Sequence, residues 1–243
     1  MSGHENSMER AQERLLAAAL PHVAFDGWSD AVLALASAES GTPPGLARAL
    51  FPRGGVDLAV AWHRQGDRQM AEALTASDLS GLKFRDKVTR AVRLRLQTAG
   101  SRDLVRRSAG LFGLPSHMVE AAGLIWGTAD AIWVALGDTS RDINFYSKRA
   151  TLSAVYAATL LFWLGDDSDG QTATWEFLDR RIANVMQFEK AKAGFRENRL
   201  GKALLAGPLK ILERVHAPEP AKDMPGRMTR LPLNQPTAEP ADH

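Results

Sequence analysis

Between Gly137 and Leu152 the chain reads GDTSRDINFYSKRATL. Two carboxylates (Asp138, Asp142), the amide of Asn144, the adjacent rings of Phe145 and Tyr146, and the cations of Lys148 and Arg149 fall within this one stretch. Paired carboxylates can divide general-acid and general-base work when their surroundings separate their pKa values. That chemistry needs a further base to pass the proton on, and the stretch contains no histidine. His4, His22, His63, His117, His216 and His243 are scattered and read as having no second His or carboxylate at ligand spacing. The zinc-protease, Walker and nucleophile-elbow motifs are absent, and so is cysteine, which removes thiolate catalysis and disulfide scaffolding. No catalytic residue, metal site or cofactor is expected. The ordinary use of aspartates ahead of a helical pattern is to cap that helix by accepting bonds from its free N–H groups. The stretch therefore reads as a helix start that doubles as a docking surface.

A second acidic run, GDDSDGQTATWE (Gly165–Glu176), comes close to a calcium loop, with Asp167, Asp169, Gly170 and Glu176 at loop positions three, five, six and twelve. Position one is a glycine and position eight a threonine, so the run reads as an interhelical turn followed by a capped helix.

These segments must be positioned by helices. Apolar residues recur at helical spacing almost throughout, and no stretch alternates like a strand. Helices are predicted over 8–20, 29–39, 43–50, 55–65, 67–77, 81–98, 101–112, 116–136, 144–164, 171–187 and 188–215, with Ser29 and Thr42 as N-caps. A chain of 243 residues, 45% apolar and 24% charged, can bury a substantial core. Its first twenty residues lack the pattern of a secretory leader, and no uninterrupted apolar run reaches the length of a membrane span, so a cytosolic or membrane-surface location is expected. Nine Lys/Arg against two Asp between Lys83 and Arg107 read as solvated helix faces in preference to a phosphate-binding surface.

The stretch GWSDAVLALASAESGTPPGLARALFPRGGVDLAVA (Gly27–Ala61) resembles the first helices of the TetR regulator fold, where a helix-turn-helix reads DNA. A reading helix needs several donors for base edges and phosphates. Here PPGLARAL offers Arg48, with Arg53 just beyond it, and the helix before has no basic residue. A degenerate helix-turn-helix without nucleic-acid binding is expected over 8–66. A ligand-responsive TetR-type regulator is the alternative.

Downstream, MVEAAGLIWGTADAIWVAL and YSKRATLSAVYAATLLFWL set Trp126, Trp133, Tyr156, Leu160 and Trp163 among Ala, Gly and Thr. Bulky rings beside small residues are how a helical bundle makes an elongated apolar pocket. These five are the expected pocket residues, in a bundle spanning 67–187. In NRLGKALLAGPLKILERV, Leu200, Leu204, Leu205, Leu209, Ile211 and Leu212 share one half of the helical circumference, opposite Arg199, Lys202, Lys210 and Arg214. That pattern describes an interfacial membrane helix over 188–216, although a helix packed on the bundle or across a dimer would show the same faces. Six of the twelve prolines lie in the last 27 residues, so 217–243 is expected to be a disordered tail.

Taken together, G-D-x-S-x-D-x-N-aromatic-Tyr-[ST]-basic-Arg, HVAFDGWS (His22–Ser29) and TWEFLDRRI (Thr174–Ile182) resemble, in order, recurrent stretches of the lipid-binding accessory family of ubiquinone biosynthesis. That family comprises the ninth Coq protein of mitochondria and its bacterial relatives. The resemblance covers roughly residues 10–215. It implies an all-α TetR-like fold without DNA binding, a homodimer, and no enzymatic activity. It further implies an isoprenoid quinone intermediate as ligand, presented at a membrane to a demethoxyubiquinone hydroxylase. For a bacterial protein this means the cytoplasmic face of the inner membrane. Carried over residue by residue, it places Asp130, Ile132, Asp142, Phe145 and Tyr146 on the hydroxylase-docking patch and Arg149 at a lipid headgroup. Many relatives have Trp where this chain has Phe145, which implies a smaller anchor at that point.

Overall fold

The computed structural model describes residues 2–197, with side chains described from 7 to 187. Nine α-helices and no strand are present among these residues: α1 Ser2–Asp26, α2 Asp30–Glu39, α3 Pro44–Leu50, α4 Gly55–Ala76, α5 Phe84–Gln97, α6 Arg102–Phe112, α7 Met118–Ala135, α8 Ile143–Leu164 and α9 Thr172–Glu197. Helices α1–α3, one long and two short, form the head, and α4 runs from that head into the bundle, where it packs on α5 and α7. Helices α7 and α8 lie side by side, and α9 covers α8 and α5. The core runs through both parts, from Leu15, Val23, Val32 and Phe51 to Met70, Val92, Ile132, Tyr156 and Leu178.

The helix starts follow local chemistry. Ser29 caps α2 by accepting from the N–H of Val32, and Ser101 caps α6 by accepting from that of Leu104. At α3 the cap differs from expectation. Pro43 occupies the position before Pro44, while Thr42 is buried and tied to Ser37 and Ser40 inside the α2–α3 turn. Gly54, at φ 57°, turns the chain into α4. Gly55 then lies so close to the Trp28 backbone that a side chain would overlap it, which locks α4 against the start of α2.

Two predicted breaks are absent. Residues 55–65 and 67–77 form one continuous helix, so an organisational boundary at 66/67 falls in the middle of α4. Gly66 weakens intrinsic helicity, but the Arg95 guanidinium packs onto the face where its side chain would be. Helix α9 likewise passes through 187/188 and continues to Glu197. The segment Pro115–Ala135 is long and apolar enough to cross a membrane by length and composition, with 28% of its window buried. In this fold it packs on α4 and α8. Of the interfacial helix expected over 188–216, residues 198–216 lie outside the described residues, as does the whole tail expected over 217–243.

Candidate functional site

The α7–α8 turn gathers the polar groups of the opening motif around one guanidinium. Arg149 is 2% exposed. Its Nε donates to Asp130 Oδ1 at 2.6 Å, and its Nη1 donates to Asp138 Oδ2 at 3.3 Å and to the Phe145 carbonyl at 3.2 Å. Lys148 donates to the other Asp138 oxygen at 2.7 Å and to the Ser140 hydroxyl at 2.6 Å, and Ser140 also donates to Asp138. Burial alone would raise the Asp138 carboxyl. The bonds from Lys148, Ser140 and Arg149 outweigh it and hold the group below the usual carboxylate range. Asp142 is the N-cap of α8, accepting from the Asn144 N–H at 3.0 Å and from its side-chain amide at 2.8 Å. Neither aspartate is placed as a free acid or base.

Above this cluster the aromatics form a surface. The Arg149 guanidinium stacks 3.5 Å from the Phe145 ring centroid. Phe145 meets Tyr146 edge-on at 5.2 Å, and Tyr146 reaches Trp126 at 6.4 Å. Asp130, Asp142, Phe145, Tyr146 and Trp126 thus share one partly exposed patch. Ile132 does not share it. Ile132 is fully buried beneath the patch, because the inward face of α7 is Ala129, Ile132 and Trp133; it has no surface with which to touch a docked protein.

The expected pocket residues divide between two cavities and two other settings. Trp133 lines a cavity of about 210 Å³ with Phe84, Val88, Leu152, Val155 and Ile182, where α5, α8 and α9 meet. Phe84 stacks on Trp133 at 5.5 Å, and the Trp133 indole donates to the Lys148 carbonyl. This cavity therefore abuts the polar cluster through Lys148. Tyr156 and Leu160 line a second cavity of about 120 Å³, between α4, α5, α6, α7 and α8. Trp126 belongs to the surface patch. Trp163 donates to the Gln171 side chain at 2.8 Å and lies under the Arg102 guanidinium, at the far end of α8. Arg149 faces Asp130, Asp138 and Phe145 and is not among the residues lining either cavity. Leu200, Leu204, Leu205, Leu209, Ile211 and Leu212 lie outside the described residues.

One buried polar network was not legible in the sequence. Arg95, counted there among solvated basic faces, is 2% exposed. Its Nε donates to Asp67 at 2.6 Å and its Nη2 to the His63 carbonyl at 3.1 Å. Thr128 donates to Asp67 at 2.8 Å, and its hydroxyl lies 2.9 Å from His63 Nε2. His63 does have a carboxylate one turn along the helix, with Asp67 at 3.8 Å. Burial, and then the nearby Arg95 charge, lower the His63 pKa to about 4. The signals available were the i,i+4 spacing of His63 and Asp67 and the glycine between them that admits Arg95.

The turn after α8 uses its acidic residues as expected of a turn. Asp166 accepts from the Ser168 N–H and from both the N–H and hydroxyl of Thr174. Those bonds depress its pKa.

Nine α-helices among the described residues, with a three-helix head (α1–α3) joined to the bundle through the long α4, define an all-α protein of the TetR fold. A TetR transcriptional regulator from Nitrosomonas europaea superposes with a TM-score of 0.58 at 17% identity, over 73% of this chain and 99% of that one. Within that fold class, the chain's sequence similarity is to the COQ9 family, whose model matches residues 118–189. It is 31% identical over 195 residues to the mitochondrial ubiquinone biosynthesis protein COQ9 of Xenopus tropicalis, covering 76% of this chain and 60% of that protein. It is 29% identical over 187 residues to COQ9 of Drosophila melanogaster, covering 75% and 57%, and 28% identical over 213 residues to human COQ9, covering 83% and 65%. The chain spans about three fifths of the length of the first of these relatives.

Proposed function

We propose that this protein is a non-enzymatic, lipid-binding accessory factor of ubiquinone biosynthesis. It holds an isoprenoid quinone intermediate in the bundle and presents it to a demethoxyubiquinone hydroxylase. The observation that carries this reading is the match to COQ9 over residues 118–189, the region that contains both the aromatic patch and most of the cavity wall. A partly exposed aromatic trio flanked by Asp130 and Asp142 has the makeup of an interface hot spot, with rings to anchor and carboxylates to orient. The apolar cavity next to it, lined by Trp133 and Lys148, supports a lipid site beside the proposed docking surface. In this reading Arg149 sits behind the patch as a strut for Phe145, and Leu200–Leu212 contact the membrane. The protein works peripherally at a quinone-bearing membrane, which for a bacterium is the cytoplasmic face of the inner membrane. Apolar residues left exposed on α7 and α8, namely Met118, Val119, Val134 and Leu161, support a homodimer through that face.

The TetR-like fold also suggests a DNA-binding regulator. Against this, the basic residues of the second short helix and the turn after it, Arg48 and Arg53, have carboxylate partners. Arg48 pairs with Asp30 at 3.2 Å, and Arg53 pairs with Asp57 at 2.6 Å and Glu120 at 2.8 Å. A phosphate would have to displace those partners.

Phe145→Ala with Tyr146→Ala removes both rings from the patch and leaves Arg149 paired with Asp130 and Asp138. Hydroxylase co-purification is expected to fall at least about tenfold, as for loss of a hot-spot aromatic, while bound lipid is retained. Undiminished hydroxylase recovery with the double variant contradicts the docking assignment.

A further inference from the structure

The smaller cavity is walled by Trp62, Leu124, Ile125 and Leu160, and two neighbouring residues that also line it, Tyr156 and Arg95, carry donors that make no hydrogen bond among the described residues. Tyr156 is 1% exposed, and no hydrogen bond reaches or leaves its hydroxyl among the described residues. Arg95 directs Nε to Asp67 and Nη2 to the His63 carbonyl, and its Nη1 makes no hydrogen bond among the described residues. The guanidinium lies 5.8 Å from the Tyr156 ring centroid. Among the other polar lining groups, the Trp62 indole N–H also makes no hydrogen bond among the described residues, while Ser108 and His63 are engaged. Ser108 donates to the Leu104 carbonyl and accepts from the Trp28 indole, and His63 meets Thr128. A hydroxyl without a partner beside apolar walls is costly, and the Arg95 guanidinium, with an N–H that makes no hydrogen bond among the described residues, lines the same cavity.

We propose that this cavity is a ring subsite, in which Tyr156 and Arg95 donate hydrogen bonds to a ring oxygen of a neutral aromatic or quinonoid ligand. The assignment rests on the lipid-carrier reading above and names the end of the ligand that is recognised by polarity. Three features define the chemical class. Both idle groups are donors, so the ligand atom is an acceptor. The Arg95 charge is already matched by Asp67 at 2.6 Å, so a neutral carbonyl or ether oxygen suits the site and a second carboxylate does not. The volume of about 120 Å³ is near that of the engineered apolar cavity of roughly 150 Å³ that accepts benzene, so one ring fits and a polyprenyl chain must lie elsewhere. Burial keeps the Tyr156 hydroxyl protonated and therefore a donor. Arg149, whose guanidinium engages Asp130, Asp138 and the Phe145 carbonyl and lines neither cavity, has no part in this recognition.

The test is equilibrium dialysis of the full chain and its Tyr156→Phe variant against two probes. One is a dimethoxy-methyl-benzoquinone bearing a single isoprene unit, and the other is prenylbenzene, which has the ring and isoprene unit but no ring oxygen. Tyr156→Phe is expected to weaken the quinone about fivefold, the effect of one net hydrogen bond, and to leave prenylbenzene unchanged. Because the hydroxyl makes no hydrogen bond among the described residues, the ligand-free variant should melt at the wild-type temperature or above it. Equal quinone affinity in the two proteins overturns the subsite while leaving the carrier reading intact. Equal weakening of both probes also overturns it, since the substitution would then act through cavity shape. If wild-type protein binds neither probe nor any polyprenylated lipid, the carrier reading fails and the subsite with it.

Discussion

Arg149→Leu lowers stability by about 3 kcal/mol, equivalent to a fall of roughly 6–12 °C in Tm for a chain of this size. The reason is what the substitution leaves behind. The Asp138 side chain is 6% exposed and relies on Arg149, Lys148 and Ser140 to offset its desolvation. Losing the guanidinium leaves one oxygen of a buried carboxylate without its cation, and leaves the Phe145 carbonyl and ring without their donor and cation. The Asp130 side chain, at 43% exposure, can rehydrate and contributes little to the loss. Arg149→Lys should fall between the two, because an ammonium cannot reach Asp130, Asp138 and the Phe145 carbonyl at once in the planar geometry of a guanidinium. Thermal unfolding followed by circular dichroism checks the order wild type, Lys, Leu. A leucine variant within 1–2 °C of wild type, about the effect of a neutral surface change, would show that Arg149 is not the strut of the patch.

Stability should also fall by about 2–3 kcal/mol between pH 7 and pH 4.5, through His63. Its pKa in the folded protein is about 4, below the ordinary value near 6.5. The unfolded chain therefore takes up the proton first as the solution is acidified. The stability of the neutral buried ring is fully present above pH 6.5 and is lost progressively as pH falls towards 4. Asp138 and Asp166 carry depressed pKa values, so their contributions are lost only at pH values below the ordinary Asp range and do not enter this window. Urea unfolding of wild type and His63→Gln at the two pH values separates the His63 contribution, since glutamine keeps a polar group near Thr128 but does not titrate. The wild type should show the larger decrease by that margin. Parallel decreases would place the slope elsewhere.

These two residues mark the limits of what the sequence conveyed. Helix positions were readable because each depends on local features: Ser29 and Asp142 as caps, and apolar spacing within each helix. The capping role of Asp142 and the turn role of the Gly165–Glu176 run were readable for the same reason. The split at Gly66 was misplaced because local propensity disfavours glycine in a helix, and the compensating contact comes from Arg95, 29 positions away in sequence. Arg95 itself was misread as a surface cation because its residue type says nothing about Asp67 and Tyr156, which reach it from α4 and α8. Ile132 was placed on the docking patch by family correspondence, yet helical geometry turns it into the core between the exposed Asp130 and Val134 positions. The five expected pocket residues were chosen for bulk beside small neighbours. That criterion finds cavity walls at Trp133, Tyr156 and Leu160, but cannot say that Trp126 turns to the surface or that Trp163 is held by Gln171 and Arg102.

The central claim is that the bundle carries a quinone-precursor lipid. The most direct measurement is organic extraction of the purified, undenatured protein, followed by mass spectrometry of the co-purified lipids. The account predicts a polyprenylated quinone precursor in the extract at a substantial fraction of one molecule per chain. An extract with no lipid, or with bulk membrane phospholipid in the proportions of the host membrane, would contradict it.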